Sequence, residues 1–304
     1  FEATNPEIAL VLETEIWPNL YRGCGVRDIP LILVSARISP KSVRSYRRLL
    51  PLFRETLSHG IIIAAQSDAD AKRFVSLGAA PERTRVTGNI KFDVELPPDL
   101  AVRGQELRAQ LFGERPVWIA ASTHEGEEEI VLDAQCKLLQ VIPDLLLVLV
   151  PRHPQRFAGV RELVARQRMK IVARTDGKPC SASTQVFLGD TMGELTLFYA
   201  ASDVAFVGGS LVPIGGHNLL EPAALGLPLV SGTHVFNAQE IADMFVGKGA
   251  CKLVQDSAEL AAEVGRLLSD AEEASRQGDA GREILERNRG ALARLMAMIE
   301  PLVD

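Results

Sequence analysis

The sequence predicts an α/β protein made of two doubly wound domains with parallel sheets. Three observations carry this. Short, nearly continuous apolar runs rich in β-branched residues recur along the chain, helical patterns alternate with them, and the series starts afresh after a proline-bearing break, ELPPDL, at 95–100. Apolar strands of this kind, separated by helices, belong to parallel sheets covered on both faces. Two successive βαβ series make two such domains. A length of 304 residues, above the usual single-domain size, agrees. The boundary is placed so that the domains span 1–96 and 97–304.

In the first domain, strands are expected at 8–12, 31–35, 61–66 and 85–89, with one long helix over 41–60. Four strands are few for a doubly wound domain, and the chain opens on FEATNPEIALVLETE without an initiator methionine, so the expectation is an N-terminally incomplete domain. In the second domain, strands are expected at 117–122, 145–150, 170–174, 185–190, 204–209, 227–231 and 251–255, followed by a charged helical tail over 257–304. The net charge of −6 argues against bulk electrostatic binding of nucleic acid. Cys24, Cys136, Cys180 and Cys251 form no CxxC pair, which argues against a zinc ribbon or disulfide frame. No apolar run approaches the roughly 20 residues needed to span a bilayer.

Ligands of open parallel sheets bind beyond the carboxyl ends of the strands. In the second half those ends carry Ser122-Thr123-His124-Glu125-Gly126-Glu127, Pro151-Arg152-His153-Pro154, Thr191-Met192-Gly193-Glu194 and the stretch GGSLVPIGGHNLLEP at 208–222. Ser122/Glu125, Thr191/Glu194 and Asn218/Glu221 have capping-box spacing, so helix capping is the first reading of each pair and site polarity the second. Capping does not account for Arg152-His153 between two prolines, nor for Gly208-Gly209 and Gly215-Gly216 around Ser210. Paired glycines let backbone N–H groups reach a ligand, helix N-termini favour phosphate, and Arg152 offers a guanidinium fork. Glu221 is suited to a ribose diol. His124 and His217 read as acid/base groups, with no HxxxH spacing to suggest a metal, and His59 and His234 read as structural.

In the first half, Glu13 and Glu15 follow a strand directly and suit either general-base work or capping. The stretch 29–54 carries Arg37, Lys41, Arg44, Arg47, Arg48 and Arg54 with no acidic residue, beside Leu49, Leu50, Leu52 and Phe53. It is either a solvated face or a contact for an anionic lipid surface or phosphorylated acceptor.

The motifs ETEIWPNL, GNIKFD, STHEGEEE, PRHPQRF, GDTMGEL and GGSLVPIGGHNLLEP, in this order over essentially all 304 residues, resemble the 3-deoxy-D-manno-octulosonic acid (Kdo) transferases of lipopolysaccharide synthesis. The resemblance implies a GT-B architecture, two Rossmann-like domains facing a cleft. It also implies inverting transfer of Kdo from CMP-Kdo to the lipid A precursor (lipid IVA) at the cytoplasmic face of the inner membrane, with no metal and no cofactor beyond the donor. By motif match, Arg152 meets the phosphate; Met192, Gly193, Glu194, Gly208, Gly209 and Ser210 line the nucleotide; and Asn218 and Glu221 hold the ribose. Ser122, Thr123 and His153 complete the donor set. The basic residues Arg37, Lys41, Arg44, Arg47 and Arg48 are the candidate contact with the lipid acceptor. The resemblance places the principal general base before Phe1, which leaves Glu13 and Glu15 as the carboxylates near the cleft.

The chain departs from the family pattern at Leu219, where proline is common, and at Thr233 of Gly232-Thr233-His234, where the pattern is G-P-H; neither replaced residue carries polar chemistry. A nucleotide-sugar epimerase on the same architecture, or a non-catalytic nucleotide- or lipid-binding module, is the alternative. A nicotinamide-dependent dehydrogenase is disfavoured because no GxGxxG follows a strand.

Overall fold

The structure, a computed structural model, describes residues 5–58 and 60–303, without the side chains of Leu49 and Ser58; His59 lies outside the described residues. Its strands are β1 (Ala9–Leu12), β2 (Leu31–Ala36), β3 (Ile62–Ala65), β4 (Thr84–Val86), β5 (Val117–Thr123), β6 (Leu146–Pro151), β7 (Ile171–Ala173), β8 (Val186–Leu188), β9 (Val204–Val207), β10 (Leu229–Gly232) and β11 (Cys251–Val254). Its helices are α1 (Pro18–Val26), α2 (Pro40–Tyr46), α3 (Leu50–Ser58), α4 (Asp68–Ser76), α5 (Leu100–Leu111), α6 (Glu127–Leu138), α7 (Phe157–Arg166), α8 (Leu195–Ala200), α9 (Leu220–Ala224), α10 (Gln239–Gly247), α11 (Ser257–Ser269), α12 (Ala271–Asn288) and α13 (Ala291–Ile299). Each strand expected from the sequence has a counterpart here.

The chain divides into two compact units, Phe1–Asp93 with Arg287–Asp304, and Val94–Glu286. The tail from Arg287 thus joins the first unit, whereas the sequence reading kept it with the second. The reason lies in β2, which is buried along its whole length and sends alternate residues to opposite faces. Leu31 and Leu33 pack with Tyr21, Leu57 and Phe74 on one face. Ile32 and Val34 on the other face pack with Leu295 and Ile299 of α13. These two side chains, spaced four apart on one helix face, each contribute about 1.5–3 kcal/mol by burial. Asp93 fixes the same helix start, its carboxylate accepting from the backbone N–H of Gly290 and of Leu292, both at 2.6 Å. The first sheet is parallel throughout, in the order β1-β2-β3-β4.

The long helix expected over 41–60 is interrupted. After α2 the chain makes a 3-10 turn at Arg47–Leu49 before α3 begins. Pro51 explains the break, since its ring displaces the carbonyl four residues back and it has no N–H to donate, so it fits only the first turn of a new helix.

In the second unit all pairings are parallel, in the order β11-β10-β9-β5-β6-β8-β7. Trp118, Ala120, Leu147, Leu149 and Phe206 form one face of the core with Val131, Val164 and Val264 from the covering helices. The chain leaves β5 toward β6 and returns to the opposite side of β5 as β9. That reversal is the topological switch point, where the crevice for a ligand opens. The four loops singled out from the sequence leave β9, β5, β6 and β8, four consecutive strands of the sheet.

Replacing Asp93 by alanine leaves two N–H groups of α13 without their acceptor. The unfolding free energy of the chain should fall by about 1–2 kcal/mol, measured by urea denaturation; a loss within a few tenths of a kcal/mol would show that α13 is held by its apolar face alone.

Candidate functional site

The site is built outward from the end of β5. The register of β5 against β6 slips between Ala121 and Thr123, and Ser122 between them takes a left-handed φ of +57°. A residue with a Cβ in that conformation costs roughly 1–2 kcal/mol. The bulge turns Thr123 inward, where its hydroxyl donates to the Glu128 carboxylate at 3.2 Å. Helix α6 then starts after Gly126, whose φ is +83°. The capping box expected of Ser122 and Glu125 is not formed, because the helix begins later and Gly126 takes the cap position without a side-chain bond.

Glu127, the first residue of α6, is fully buried. Its Oε2 accepts from the N–H of Gly209 at 2.7 Å and of His124 at 3.2 Å, and its Oε1 from those of Ser210 at 3.0 Å and Leu211 at 2.9 Å. The carboxylate sits at a helix N-terminus, where the aligned peptide dipoles favour negative charge. One side chain thereby fastens the loop after β9 to the loop after β5.

This corrects the expectation that the glycine N–H groups stand open to a phosphate. Those of Gly209 and Ser210 are taken by Glu127, and that of Gly208 bonds the Ala121 carbonyl. Those of Gly215 and Gly216 both bond the Gly209 carbonyl, at 3.1 and 2.7 Å. The glycines are needed for protein groups instead. A Cβ on Gly208 would lie 2.7 Å from Glu127 Oε2, and one on Gly209 would lie 2.8 Å from the His217 ring. Ser210, fully buried, donates to the Val207 carbonyl and accepts from Gly232 N–H, both at 2.7 Å.

Against this locked loop the structure gathers three histidines. The Nε2 atoms of His124 and His217 are 2.8 Å apart, with nearly parallel rings, and the His153 ring stands edge-on to His124 at a centroid distance of 5.3 Å. A contact between two imidazole nitrogens needs one N–H and one lone pair. Burial first, then the neighbouring His124, Arg152 and His153, brings His217 down to about 4. His124 is also lowered, by burial first, with Glu127 opposing and His153, Arg152 and Arg156 adding to it. Both rings are therefore neutral at pH 7. Arg152 and His153 are exposed at the end of β6, and the Arg152 guanidinium makes no ion pair among the described residues. Arg156 is committed, reaching Glu125 at 3.1 Å and the fully buried Glu128 at 3.0 Å.

On the loop after β8, Met192 is 67% exposed and Gly193 has a φ of +81°. Glu194 accepts from the Thr191 hydroxyl at 2.5 Å and pairs with Arg174 at 2.9 Å. Burial pushes its carboxyl up, and Arg174 with Thr191 outweighs this to hold it below the usual range. Thr191/Glu194 is again not a capping box, since Glu194 itself occupies the cap position of α8. Asn218 and Glu221 do act together: the Asn218 amide donates to Glu221 at 3.1 Å and its carbonyl accepts from Leu220 N–H at 3.0 Å. Among the described residues, no group of three or more His, Cys, Asp or Glu has the geometry to hold a metal ion.

The remaining candidates belong to the first unit. Glu13 has a φ of +60° and is paired with Lys91 at 2.5 Å and Arg37 at 3.7 Å, so the ETEIWPNL and GNIKFD motifs meet at this ion pair. The Lys91 hydrogen bond holds the Glu13 carboxyl below its usual range, with burial opposing, and this makes it a poor proton acceptor. Glu15 is exposed and accepts from the Trp17 indole at 2.8 Å. Lys41, Arg44, Arg47 and Arg48 are exposed and carry no ion pair among the described residues, and Leu52 beside them is 44% exposed. Arg37 is drawn away to Glu13.

Two functional features escaped the sequence reading. Glu127 sits in a run of three glutamates at a helix start, a pattern that reads as ordinary dipole matching, and its partners lie 82 to 84 positions away. The His124–His217 bond joins residues 93 apart, neither of which has a spacing signal. Glu127→Gln replaces one accepting oxygen by an amide N–H that opposes the loop donors. It should lower the unfolding free energy by about 2–3 kcal/mol and speed amide exchange at Gly209, Ser210 and Leu211. Unchanged exchange at those three amides would refute the lock.

Residues 1–94 match the family model described as 3-deoxy-D-manno-octulosonic-acid transferase (kdotransferase), and residues 166–284 match that of glycosyl transferases group 1. The chain is 42% identical over 300 residues to the 3-deoxy-D-manno-octulosonic acid transferase of Haemophilus influenzae, covering 98% of this chain and 70% of the relative. The crystal structure of the C-terminal CMP-Kdo binding domain of WaaA from Acinetobacter baumannii superposes with a TM-score of 0.60 at 38% identity, covering 62% of this chain and 98% of that one. A putative UDP-N-acetylglucosamine 2-epimerase from Listeria monocytogenes aligns over 99% of this chain and 76% of its own, with a TM-score of 0.59 at 17% identity, a likeness of fold alone. The fold is thus α/β of the GT-B type, and the chain belongs to the 3-deoxy-D-manno-octulosonic acid transferase family.

Proposed function

We propose that the chain is a glycosyltransferase that moves Kdo from CMP-Kdo to a hydroxyl of the lipid A precursor lipid IVA, with inversion and without a metal-dependent step. CMP-Kdo lies on the four loops of the second unit. The observation that carries this placement is the uncommitted Arg152 guanidinium beside three imidazoles, at the end of a strand next to the switch point. Every other charged group of these loops named above already has a protein partner, whereas Arg152 is left to meet an anion. Its planar fork suits a phosphate. Asn218 and Glu221, already joined, present a carboxylate and an amide to a ribose diol. Met192 offers an exposed apolar surface to the base.

In the transfer, the bond between the anomeric carbon and the phosphate oxygen breaks with its electron pair on that oxygen, and Arg152 stabilises the charge that develops there. The acceptor hydroxyl must lose its proton. Glu13 is ill-suited because Lys91 and Arg37 hold it as a carboxylate, and its part is to fix the end of β1; Glu15 is the more available of the two. The exposed Lys41, Arg44, Arg47 and Arg48, with Leu52, form the face toward an anionic membrane surface, which agrees with a position at the cytoplasmic side of the inner membrane. Among the described residues no helix is long and apolar enough to cross a membrane.

Arg152→Ala should weaken CMP binding by about tenfold to a hundredfold, the range of a charged hydrogen bond, and lower kcat in parallel; unchanged CMP affinity by calorimetry would refute the assignment. Reversing Lys41, Arg44, Arg47 and Arg48 together to glutamate should reduce partition onto phosphatidylglycerol vesicles by a hundredfold or more, since each basic residue contributes about 1 kcal/mol near such a surface. Equal sedimentation of variant and parent with the vesicles would remove this face from the membrane contact.

A further inference from the structure

The three histidines are not used by the mechanism above, and their arrangement is unusual for a structural cluster. The His124–His217 contact satisfies one nitrogen of each ring, and neither Nδ1 has a hydrogen-bond partner among the described residues. The charged groups facing the pair come from every neighbouring loop. Glu127 lies below, saturated by four N–H groups. Arg152 and His153 stand at the end of β6, and Arg156 just beyond them is spent on Glu125 and Glu128. Asn218 and Glu221 follow His217 and are bonded to each other. The pair therefore sees one free cation, a third imidazole and no free anion.

Resting on the donor-site reading, we infer that the His124–His217 pair is a further part of the phosphate site, taking up one proton from solvent when a phosphate monoester binds. The reaction gives this a use. A phosphate joined to both nucleoside and sugar carries one negative charge, and the departing nucleotide carries two once the electron pair of the broken bond stays on its oxygen. The acceptor proton leaves with its own base, so the extra charge on the phosphate remains to be met. The neutral pair holds two ring protons, one between the inner nitrogens and one on the Nδ1 of the accepting ring. It takes a third at the Nδ1 of the donating ring, and the resulting cation is stabilised by the ring that stays neutral. In the free protein burial first, and then Arg152 and His153, oppose that proton, and both rings are held below their ordinary value. A bound dianion reverses the sign of the local field.

The sign of the linkage follows. The pair binds protons more tightly in the complex than in the free protein. CMP affinity is therefore greatest below the free protein's value, falls as pH rises between the free and the bound values, and levels off above the bound value. The loss approaches about tenfold per pH unit. A phosphate monoester itself gains a proton near pH 6 (about), so the comparison belongs above pH 7.

Calorimetric titration of CMP into the whole chain at about pH 7.2, in two buffers of different ionisation enthalpy, counts the protons. CMP should bring in up to about one proton per molecule bound, and cytidine, which lacks the phosphate, none. His217→Gln keeps a polar contact to His124 without titrating, and should abolish the uptake and weaken CMP about tenfold. His124→Gln breaks the same pair from the other loop and serves should the first variant fail to melt like the parent. CMP binding without proton uptake in the parent, or uptake that survives in both variants, overturns the inference while leaving the donor site standing. A chain that binds no CMP at all rejects the donor-site reading itself.

Discussion

The arrangement of the second unit's crevice depends on a single buried carboxylate. Removing an ion such as that of Glu127 from water costs several kcal/mol even after relaxation. Here four backbone N–H bonds and the positive end of α6 offset that cost. The consequences spread from it. Gly208 must lack a side chain because Glu127 Oε2 occupies the space, and Gly209 must lack one because His217 does. The N–H groups of Gly208 to Leu211 and of Ile214 to Gly216 are bonded to protein acceptors, so the glycine amides do not form an anion cradle. Recognition falls to the side chains that stand on that loop.

Neighbouring Glu128 shows what the same burial does with less support. It is fully buried, and burial raises its carboxyl despite Arg156 and the Thr123 hydroxyl. Its ionised form is thus the strained one, and its contribution to stability declines as pH rises through its folded value. The His124–His217 pair is strained in the opposite sense, since its lowered values mean that acid destabilises the folded chain between about 6.5 and 4 for His217. Within two turns of one helix start the protein places a satisfied carboxylate, a partly satisfied one and two imidazoles kept neutral.

Much of the fold was legible because parallel strands buried on both faces must be apolar at nearly every position. β2, β5, β6 and β9 are buried at each residue, and their sequences announce them without any periodicity. The loops were legible for a related reason: a strand-end rule identifies them from order alone, and four adjacent strands carry them. What failed was local pattern where a distant partner decides. Capping-box spacing at Ser122/Glu125 and Thr191/Glu194 marks helix starts that fall elsewhere, because Gly126 and Glu194 hold the cap positions. Of the glycine pairs read as ligand-facing, Gly208 and Gly209 make room for Glu127 and His217, and Gly215 for Asn237 and Phe236. Pro51 lies within the span 41–60 expected as one helix, and its missing N–H divides that span into α2 and α3. The tail's place beside β2 required knowing that Ile32 and Val34 lacked a covering helix.

The division of charge in the site argues for what it receives. Arg156, Arg174 and Glu194 are spent on one another's loops, and Glu127 and Glu128 are buried. What remains is an exposed guanidinium, an exposed histidine and a half-buried imidazole pair in a chain whose net charge is −6. A site for a neutral sugar would have no need to keep a cation free of carboxylates that the sequence supplies in excess. The acidic side chains of these loops are engaged, Glu125 by Arg156 and Glu221 by Asn218. Burial is the first cause of the lowered imidazole values, and the crowding of Arg152 and His153 around both rings adds to it. On the donor-site proposal, a phosphate is the anion that would offset this crowding at the same groups.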